Sequence, residues 1–91
     1  MMKSTVKQWI KEYGWQAECD MSVPFRSMDV DIDFEVDGST DEVQFTIKPW
    51  DVNELDELFR NFCEESNYSA VSVTSITIVA TYPEQPEYVT A

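Results

Sequence analysis

At 91 residues the chain is short enough for a single domain, and its apolar residues, aromatic ones included, make up 43% of it and suffice for one compact core. Eighteen acidic residues against six basic ones give a net charge of −12, and there is no histidine. Because a polyanion repels nucleic-acid backbones and anionic lipid surfaces, this charge argues against direct binding to nucleic acid or membrane and favours a basic partner.

The N-terminal part of the chain predicts a helix followed by a strand. Within residues 6–13 apolar side chains recur at the i, i+3, i+4, i+7 spacing of one helical stripe, which Ser4 is placed to cap and Gly14 to stop. We therefore predict a helix over residues 5–13. Over residues 15–21 the period changes to two, which predicts a half-buried strand.

The clearest pattern in the chain is an acidic strand. From Met28 to Val36 apolar residues alternate with acidic ones, and Pro24 separates this run from the strand before it. We call the acidic positions the acidic row: Asp29, Asp31, Asp33, Glu35 and Asp37. Turn-forming residues 37–40 and a second alternating run over 43–47 follow, so the two runs predict a β-hairpin with a loop of four or five residues.

A second helix begins after this hairpin. Asp51 has the character of an N-cap, Glu54 would close a reciprocal capping box, and Trp50 precedes the cap as a hydrophobic staple onto Leu55. The apolar stripe that follows predicts a helix from about 52 to 65. All three tryptophans fall on a core stripe or on this staple, and we therefore expect them in the core.

The last predicted element completes an α+β fold. Residues 69–82 are rich in Val, Ile and Thr, and their apolar parity changes at Thr74-Ser75, which predicts a bulged strand. The order α-β-β-β-α-β favours a mainly antiparallel four-stranded sheet with two helices packed on one face. The crossover should return the last strand parallel to the strand before it, beside that strand or beside the first. Residues 1–82 form the predicted domain and 83–91 a flexible tail.

The acidic row is the candidate functional feature. Alternate side chains of a strand project from one face at steps of about 6.6 to 6.8 Å, so the row presents a line of negative charge on the exposed side. One interpretation is a solvated face that prevents edge-to-edge association. The other is a docking surface for a basic protein, since phosphates along one nucleic-acid strand repeat at a comparable spacing. Further acidic residues would extend this surface: Asp41, Glu42, Asp51, Glu54, Asp56 and Glu57.

A cation site is the alternative use of the same carboxylates. Asp29-x-Asp31-x-Asp33 matches the opening of a calcium-binding loop, but Phe34 stands where the loop needs Gly and Thr40 where it needs a bidentate Glu. Carboxylates fixed along a strand also diverge and do not surround one ion. Divalent-cation binding, or a structural domain whose acidic face has no partner, stays as the alternative to docking.

The residue types present disfavour catalysis and cofactor binding. Without histidine the chain lacks the usual general base near neutral pH and any histidine-containing zinc site, and two cysteines do not complete a four-thiolate site. Neither a glycine-rich phosphate loop nor a nucleophile motif occurs. We therefore expect a protein that is not an enzyme, with no catalytic residue, no cofactor and no metal ligand.

Cysteine usage and hydropathy predict a cytoplasmic protein. No apolar run approaches the roughly 20 residues that span a bilayer, and residues 1–13 lack the apolar stretch of a secretory signal. Cys19 and Cys63 lack CxxC spacing, which is typical of reduced thiols, and we expect both to be partly or wholly buried. The expected state is a monomer or a weak homodimer, the latter formed if the last strand lies uncovered at a sheet edge.

In size, acidity and lack of catalytic residues the chain resembles the small acidic accessory proteins of bacterial conjugative transposons and phages. The run Lys11-Glu12-Tyr13-Gly14-Trp15 and the acidic row carry this resemblance. It covers the general character of the chain, and no functional residue is carried over from it. Because such elements encode inhibitors that mimic DNA, the resemblance implies a partner that is a nucleic-acid-binding protein. We predict a noncatalytic interaction domain that engages a basic protein surface through the acidic row.

Overall fold

The computed structural model describes residues 2–22 and 24–83, with the backbone alone for residues 2–4. The elements in chain order are β1 (Met2–Ser4), α1 (Val6–Tyr13), β2 (Gln16–Ala17), β3 (Phe25–Val36), β4 (Ser39–Ile47), α2 (Val52–Glu65) and β5 (Val71–Pro83). The predicted tail, apart from Pro83 at the end of β5, lies outside the described residues.

The first helix begins one residue later than its sequence suggests. Thr5, rather than Ser4, is the N-cap: its hydroxyl accepts from the Gln8 N–H at 3.0 Å, and the Gln8 side chain accepts from the Thr5 N–H at 3.2 Å. This reciprocal box satisfies two backbone donors that the first turn leaves free. At the other end Gly14 adopts a positive φ of 77° and donates to the Ile10 carbonyl, which ends the helix as predicted.

The second helix has half of its predicted capping box. The Asp51 carboxylate accepts from the Glu54 N–H at 3.0 Å, as expected for an N-cap. The prediction of a reciprocal bond from the Glu54 side chain to the N-cap is wrong. This side chain accepts instead from the N–H of Lys48, just after the end of β4, at 3.0 Å. The helix start is therefore joined to the neighbouring strand.

The strands form one mixed sheet in the order β1-β5-β3-β4, and β2 lies further along the same edge of β5 as β1. β3 is antiparallel to both β4 and β5, whereas β1 and β2 run parallel to β5. The α+β class and the direction of the last strand are confirmed. Of the two positions predicted for the last strand, the structure has the one beside the first predicted strand: β5 pairs with β2 and not with β4. Its other neighbour is β3. Because β5 is internal, the condition stated for a dimer through the last strand, that it lies uncovered at a sheet edge, is not met.

The first predicted strand is reduced to the two residues of β2. The Glu18 N–H still donates to the Ile78 carbonyl at 2.9 Å. Beyond it the Asp20 carboxylate accepts from both the backbone N–H and the hydroxyl of Ser22, at 2.9 and 2.6 Å. This local turn competes with the ladder and takes the chain out of the sheet. The additional strand β1 was not predicted, since three residues carry no alternation.

The hairpin between β3 and β4 is tighter than predicted. Asp37 and Gly38 alone form its loop, with φ of 52° and 78°, and pairing begins at once with Val36 and Ser39. Positive φ at both central positions is the type I′ geometry that suits the twist of a hairpin, and Asp-Gly adopts it readily. The strands are therefore longer than the alternating runs indicated.

The core lies between one face of the sheet and the two helices. Alternate residues of β3 are fully buried on this side, and the Phe34 ring lies 5.4 Å from that of Phe59 and 5.9 Å from that of Phe62. In β5 the ladder to β3 steps from Ser75 to Val73, which confirms the bulge. Residues of both parities in β5 thereby reach the core.

Both cysteines are free, with Cys63 buried in the core and Cys19 half-buried beside it, as expected. Among the described residues, neither helix has the length and the apolar character needed to cross a membrane.

We expect Phe34→Ala to lower the free energy of unfolding by about 3 to 5 kcal/mol, because it leaves a cavity among the aromatic rings of the core. Urea denaturation followed by circular dichroism measures the change. Glu35→Ala, one residue along on the opposite face, is the control and should change stability by less than about 0.5 kcal/mol. An equal loss in both variants would contradict this account of the core.

Candidate partner-binding face

The acidic row lies on the side of the sheet that the helices leave uncovered, which we call the open face. Exposure rises along β3 towards the hairpin: Asp29 is buried, with 6% of its surface exposed, Asp31 and Asp33 are half-buried, and Glu35 and Asp37 are exposed. The prediction that all five carboxylates form an exposed line is therefore wrong for Asp29. Asp37 lies in the hairpin turn rather than in β3. The central part of the row is therefore formed by three residues of β3: Asp31, Asp33 and Glu35.

Asp29 is withdrawn from solvent because hydroxyl groups from both neighbouring strands bind it. The Thr46 hydroxyl in β4 donates to one carboxylate oxygen at 2.5 Å, and the Tyr82 hydroxyl in β5 donates to the other at 2.6 Å. The hydrogen bond to Asp29, and then its negative charge, raise the pKa of the Tyr82 phenol. Asp29 thus joins three strands and acts as a structural link rather than as a docking residue.

Asp31 lies in the central part of the row, and its surroundings disfavour its charged form. Its pKa is raised, first by burial and then by the negative charges of Asp33, Glu18 and Asp29. Glu18, which follows β2, is the member of this cluster that sequence reasoning did not single out. Its only sequence signal was its polar parity in the alternating run, and its place across β5 from Asp31 depends on β2 pairing with β5.

A second like-charge contact lies nearer the hairpin. Asp33 and Glu42 are directly opposite each other in the β3–β4 ladder, where like charges destabilise a sheet. The bulge residue Thr74 borders the same side, so an acidic depression opens there. The following residues line it: Asp33, Thr40, Asp41, Glu42 and Thr74. The expected extension of the acidic surface beyond the turn is therefore present.

The acidic residues of the second helix do not extend this face. The Asp51 carboxylate caps α2, and the Glu54 carboxylate accepts the backbone N–H of Lys48. Asp56 is buried, with 5% of its surface exposed, and the Arg60 guanidinium donates to it at 3.2 Å. Helix α2 lies on the other side of the sheet, so the predicted extension through its first turns is wrong.

Hydroxyl and amide groups flank the acidic row on both sides. In the ladders Asp31 is opposite Gln44 and Thr77, and Asp33 is opposite Ser75. The centre of the open face is consequently polar across three strands. It offers hydrogen-bond acceptors and negative charge, and no apolar surface at its centre.

Cations do not neutralise this face from within the described ranges. Among the described side chains, those of residues 5–22 and 24–83, the one ion pair is that of Arg60 with Asp56, on the helical side. In the same part of the chain, no three carboxylates or thiolates converge as ligands for a metal ion. The row is thus a set of separate charges rather than a chelating cage.

An aromatic cluster lies outside this face. Trp50 has 49% of its surface exposed, and its ring makes edge contacts with Trp15 and Phe25, both at 5.7 Å. Its φ of 60° is unusual for a bulky residue and strains the backbone between β4 and α2. The expectation that all tryptophans lie in the core is wrong for Trp50.

Comparison of the sequence with protein-family models and with curated proteins gave no match, and comparison of the fold with solved structures gave none either.

We expect Tyr82→Phe to lower the free energy of unfolding by about 1 to 2 kcal/mol, since it leaves a buried carboxylate oxygen without its donor. Urea denaturation at neutral pH measures this loss. Tyr13→Phe removes a hydroxyl from an exposed ring of the first helix and is the matched control, with an expected change below about 0.5 kcal/mol. Equal effects of the two substitutions would contradict a structural role for Asp29.

We expect Asp31→Asn to raise the free energy of unfolding at pH 7 by up to about 1 kcal/mol. The pKa of Asp31 is raised above its ordinary value of 3.8, so the folded state binds the proton of this carboxyl more tightly than the unfolded state does. The resulting stabilisation of the fold is complete below pH 3.8 and is lost as pH rises through the folded-state pKa. The advantage of the variant should therefore disappear near pH 3.5, as measured by denaturation at a series of pH values.

Asp20→Asn is the control for this pH dependence, because its expected sign is opposite. Hydrogen bonds from Ser22 lower the pKa of Asp20, so this carboxylate stabilises the fold above pH 3.8 and loses that effect as pH falls through its folded-state pKa. A destabilised Asp31→Asn variant at pH 7 would show that repulsion on the open face is not significant.

Proposed function

We propose that the protein is a noncatalytic binding domain whose open face engages a basic surface of a partner protein. The observation that carries this proposal is the set of carboxylates on the open face, for which the described part of the chain supplies no cation within 4.0 Å. Asp31, Asp33 and Glu35 are the central contact residues, Asp37 and Glu42 lie beside them, and Asp29 holds the strands in place.

The electrostatics of this face favour a cationic partner. Burial, and then repulsion by neighbouring carboxylates, raise the pKa of Asp31, and Asp33 lies opposite Glu42. A guanidinium or ammonium group placed between these carboxylates would relieve the repulsion as well as form new ion pairs. A bound partner should therefore stabilise the fold. The association rate should be highest at low ionic strength, and the affinity should fall steeply as salt rises.

Nucleic-acid-binding proteins are the proposed partner class. Their basic clefts bind rows of phosphates, and the carboxylates of one strand repeat at about 6.6 to 6.8 Å, a comparable spacing. The cluster formed with Glu18 and Glu42 widens the row into a patch that is more than one charge across. In this proposal the domain imitates nucleic acid in the cytoplasm of bacteria that carry a mobile element.

The test compares binding of two variants that remove the same number of negative charges. The sheet variant carries Asp31→Asn, Asp33→Asn and Glu35→Gln, and the helix variant carries Glu57→Gln, Glu64→Gln and Glu65→Gln. Proteins captured from bacterial lysate by the native chain are identified and purified, and their affinity is measured by calorimetry between about 50 and 200 mM salt. We expect the sheet variant to lose at least tenfold in affinity and the helix variant to stay within about threefold.

Competition with a DNA duplex tests the nature of the partner. A partner that binds through its nucleic-acid cleft should release the domain when the duplex is added. Identical partners for the native chain and the sheet variant, or equal losses in the two variants, would show that the open face is not the binding surface. A partner that the duplex does not displace would overturn the mimicry while leaving the basic partner in place.

A further inference from the structure

β4 is an exposed edge of the sheet. It pairs with β3 on one side, and among residues 2–22 and 24–83 no strand pairs on the other. The opposite edge of the sheet is different, because β1 and β2 both lie along β5. An unpaired edge presents a row of N–H and C=O groups to which another extended chain can add.

The hairpin turn determines which backbone groups of β4 point outward. A two-residue type I′ loop closes on a hydrogen-bonded pair, here Val36 and Ser39. Hydrogen-bonded and non-hydrogen-bonded pairs then alternate along the antiparallel ladder, which has no register shift between these strands. The residues whose N–H and C=O point away from β3 are Thr40, Glu42, Gln44 and Thr46.

Two carboxylates of the chain already occupy parts of this edge. The outward N–H of Glu42 donates to the Asp41 carboxylate at 2.8 Å, and that of Lys48 donates to the Glu54 carboxylate at 3.0 Å. Both contacts agree with the alternation derived from the turn. Between them, in the described part of the chain, no acceptor faces the outward N–H groups of residues 44–46. We call this stretch the β4 window.

The helical side of the β4 window is apolar. Phe45 projects to this side, is only half-buried, and lies 6.3 Å from the ring of Phe62, which is half-buried as well. Leu58, one turn earlier on α2, is also half-buried against the core. A strand added to the window would place alternate side chains over these rings, where apolar residues bury surface that the two helices leave partly exposed.

The other side of the β4 window is the open face. The remaining side chains of an added strand would lie beside Gln44 and Thr46, next to the column of Asp31 and Asp33 and close to Glu42. Basic residues suit these positions. A second copy of the chain does not, because it would bring a net charge of −12 against the same charge.

We propose that the β4 window binds an extended segment of the basic partner by strand addition. The segment alternates apolar residues, which pack on Phe45 and Phe62, with lysine or arginine residues, which lie over the open face. Asp41 and Glu54 limit the length of pairing to a few residues, because each already accepts an outward N–H. This inference rests on the proposed function and specifies how the basic partner attaches.

The test uses a fluorescent peptide, Lys-Val-Lys-Val-Lys with blocked ends, and two derivatives N-methylated either at the central lysine or at a valine. The three have the same charge and side chains, so they differ only in backbone donors. In antiparallel addition the lysines oppose Gln44 and Thr46 and their N–H groups point to β4; in parallel addition the valine N–H groups do. We expect anisotropy titrations to show at least a tenfold loss confined to one methylated peptide.

A pair of protein variants tests independently whether the outward N–H of Gln44 binds the peptide. Gln44→Pro removes an outward N–H without removing a bond to β3, and Gln44→Ala changes the same side chain but keeps the donor. We expect loss of peptide binding in the first variant alone. Should Gln44→Pro not fold, as judged by circular dichroism, the peptide series on the native chain still decides the question.

Equal affinity of the three peptides, or equal loss with both methylated peptides, would overturn strand addition. If the sheet variant nevertheless binds all three more weakly, charge attraction to the open face stands and the edge proposal alone fails. If neither methylation nor the sheet variant has an effect, both proposals fail. A peptide-free dimer in sedimentation that Gln44→Pro dissociates would assign the edge to a second copy and overturn the partner proposed.

Discussion

The two-residue alternation of β3 is the constraint on which the rest of the structure depends. This strand pairs along its length with β4 and β5, and its two faces have opposite characters: apolar residues towards the helices and carboxylates towards the open face. A slip of one residue would move Phe34 out of the core and bring carboxylates into it. Register is consequently strongly specified, and the hydroxyl groups that bind Asp29 add links to both neighbouring strands.

The open face combines one stabilised carboxylate with several that repel one another. Asp29 is buried and accepts two hydroxyl donors, whereas Asp31 has a raised pKa and Asp33 lies opposite Glu42. Like charges opposite each other destabilise a sheet, whereas the same charges attract a cationic surface. The same charges thus have opposite effects on folding and on the binding function proposed here.

The two edges of the sheet are protected by different means. β1 and β2 cover β5, while Asp41 accepts the N–H of Glu42 in β4 and Glu54 accepts that of Lys48 just after β4, on either side of residues 44–46. Charge on an edge strand opposes unspecific association between copies of an acidic chain. Between these carboxylates Phe45 is half-buried, and this is the stretch to which we propose that an alternating basic and apolar segment adds.

Local patterns in the sequence determined the α+β class, both helices, the hairpin, the N-cap at Asp51 and the bulge in β5, because each depends on residues within a few positions of one another. Only the tertiary structure decided which strands are neighbours. Asp29 has the same alternating pattern as Asp31, yet it is buried because the hydroxyl of Tyr82, 53 residues away, reaches it across the β3–β5 ladder. The pairing of β2 with β5 likewise brought Glu18 to the acidic row, and no local period encodes contacts of that separation.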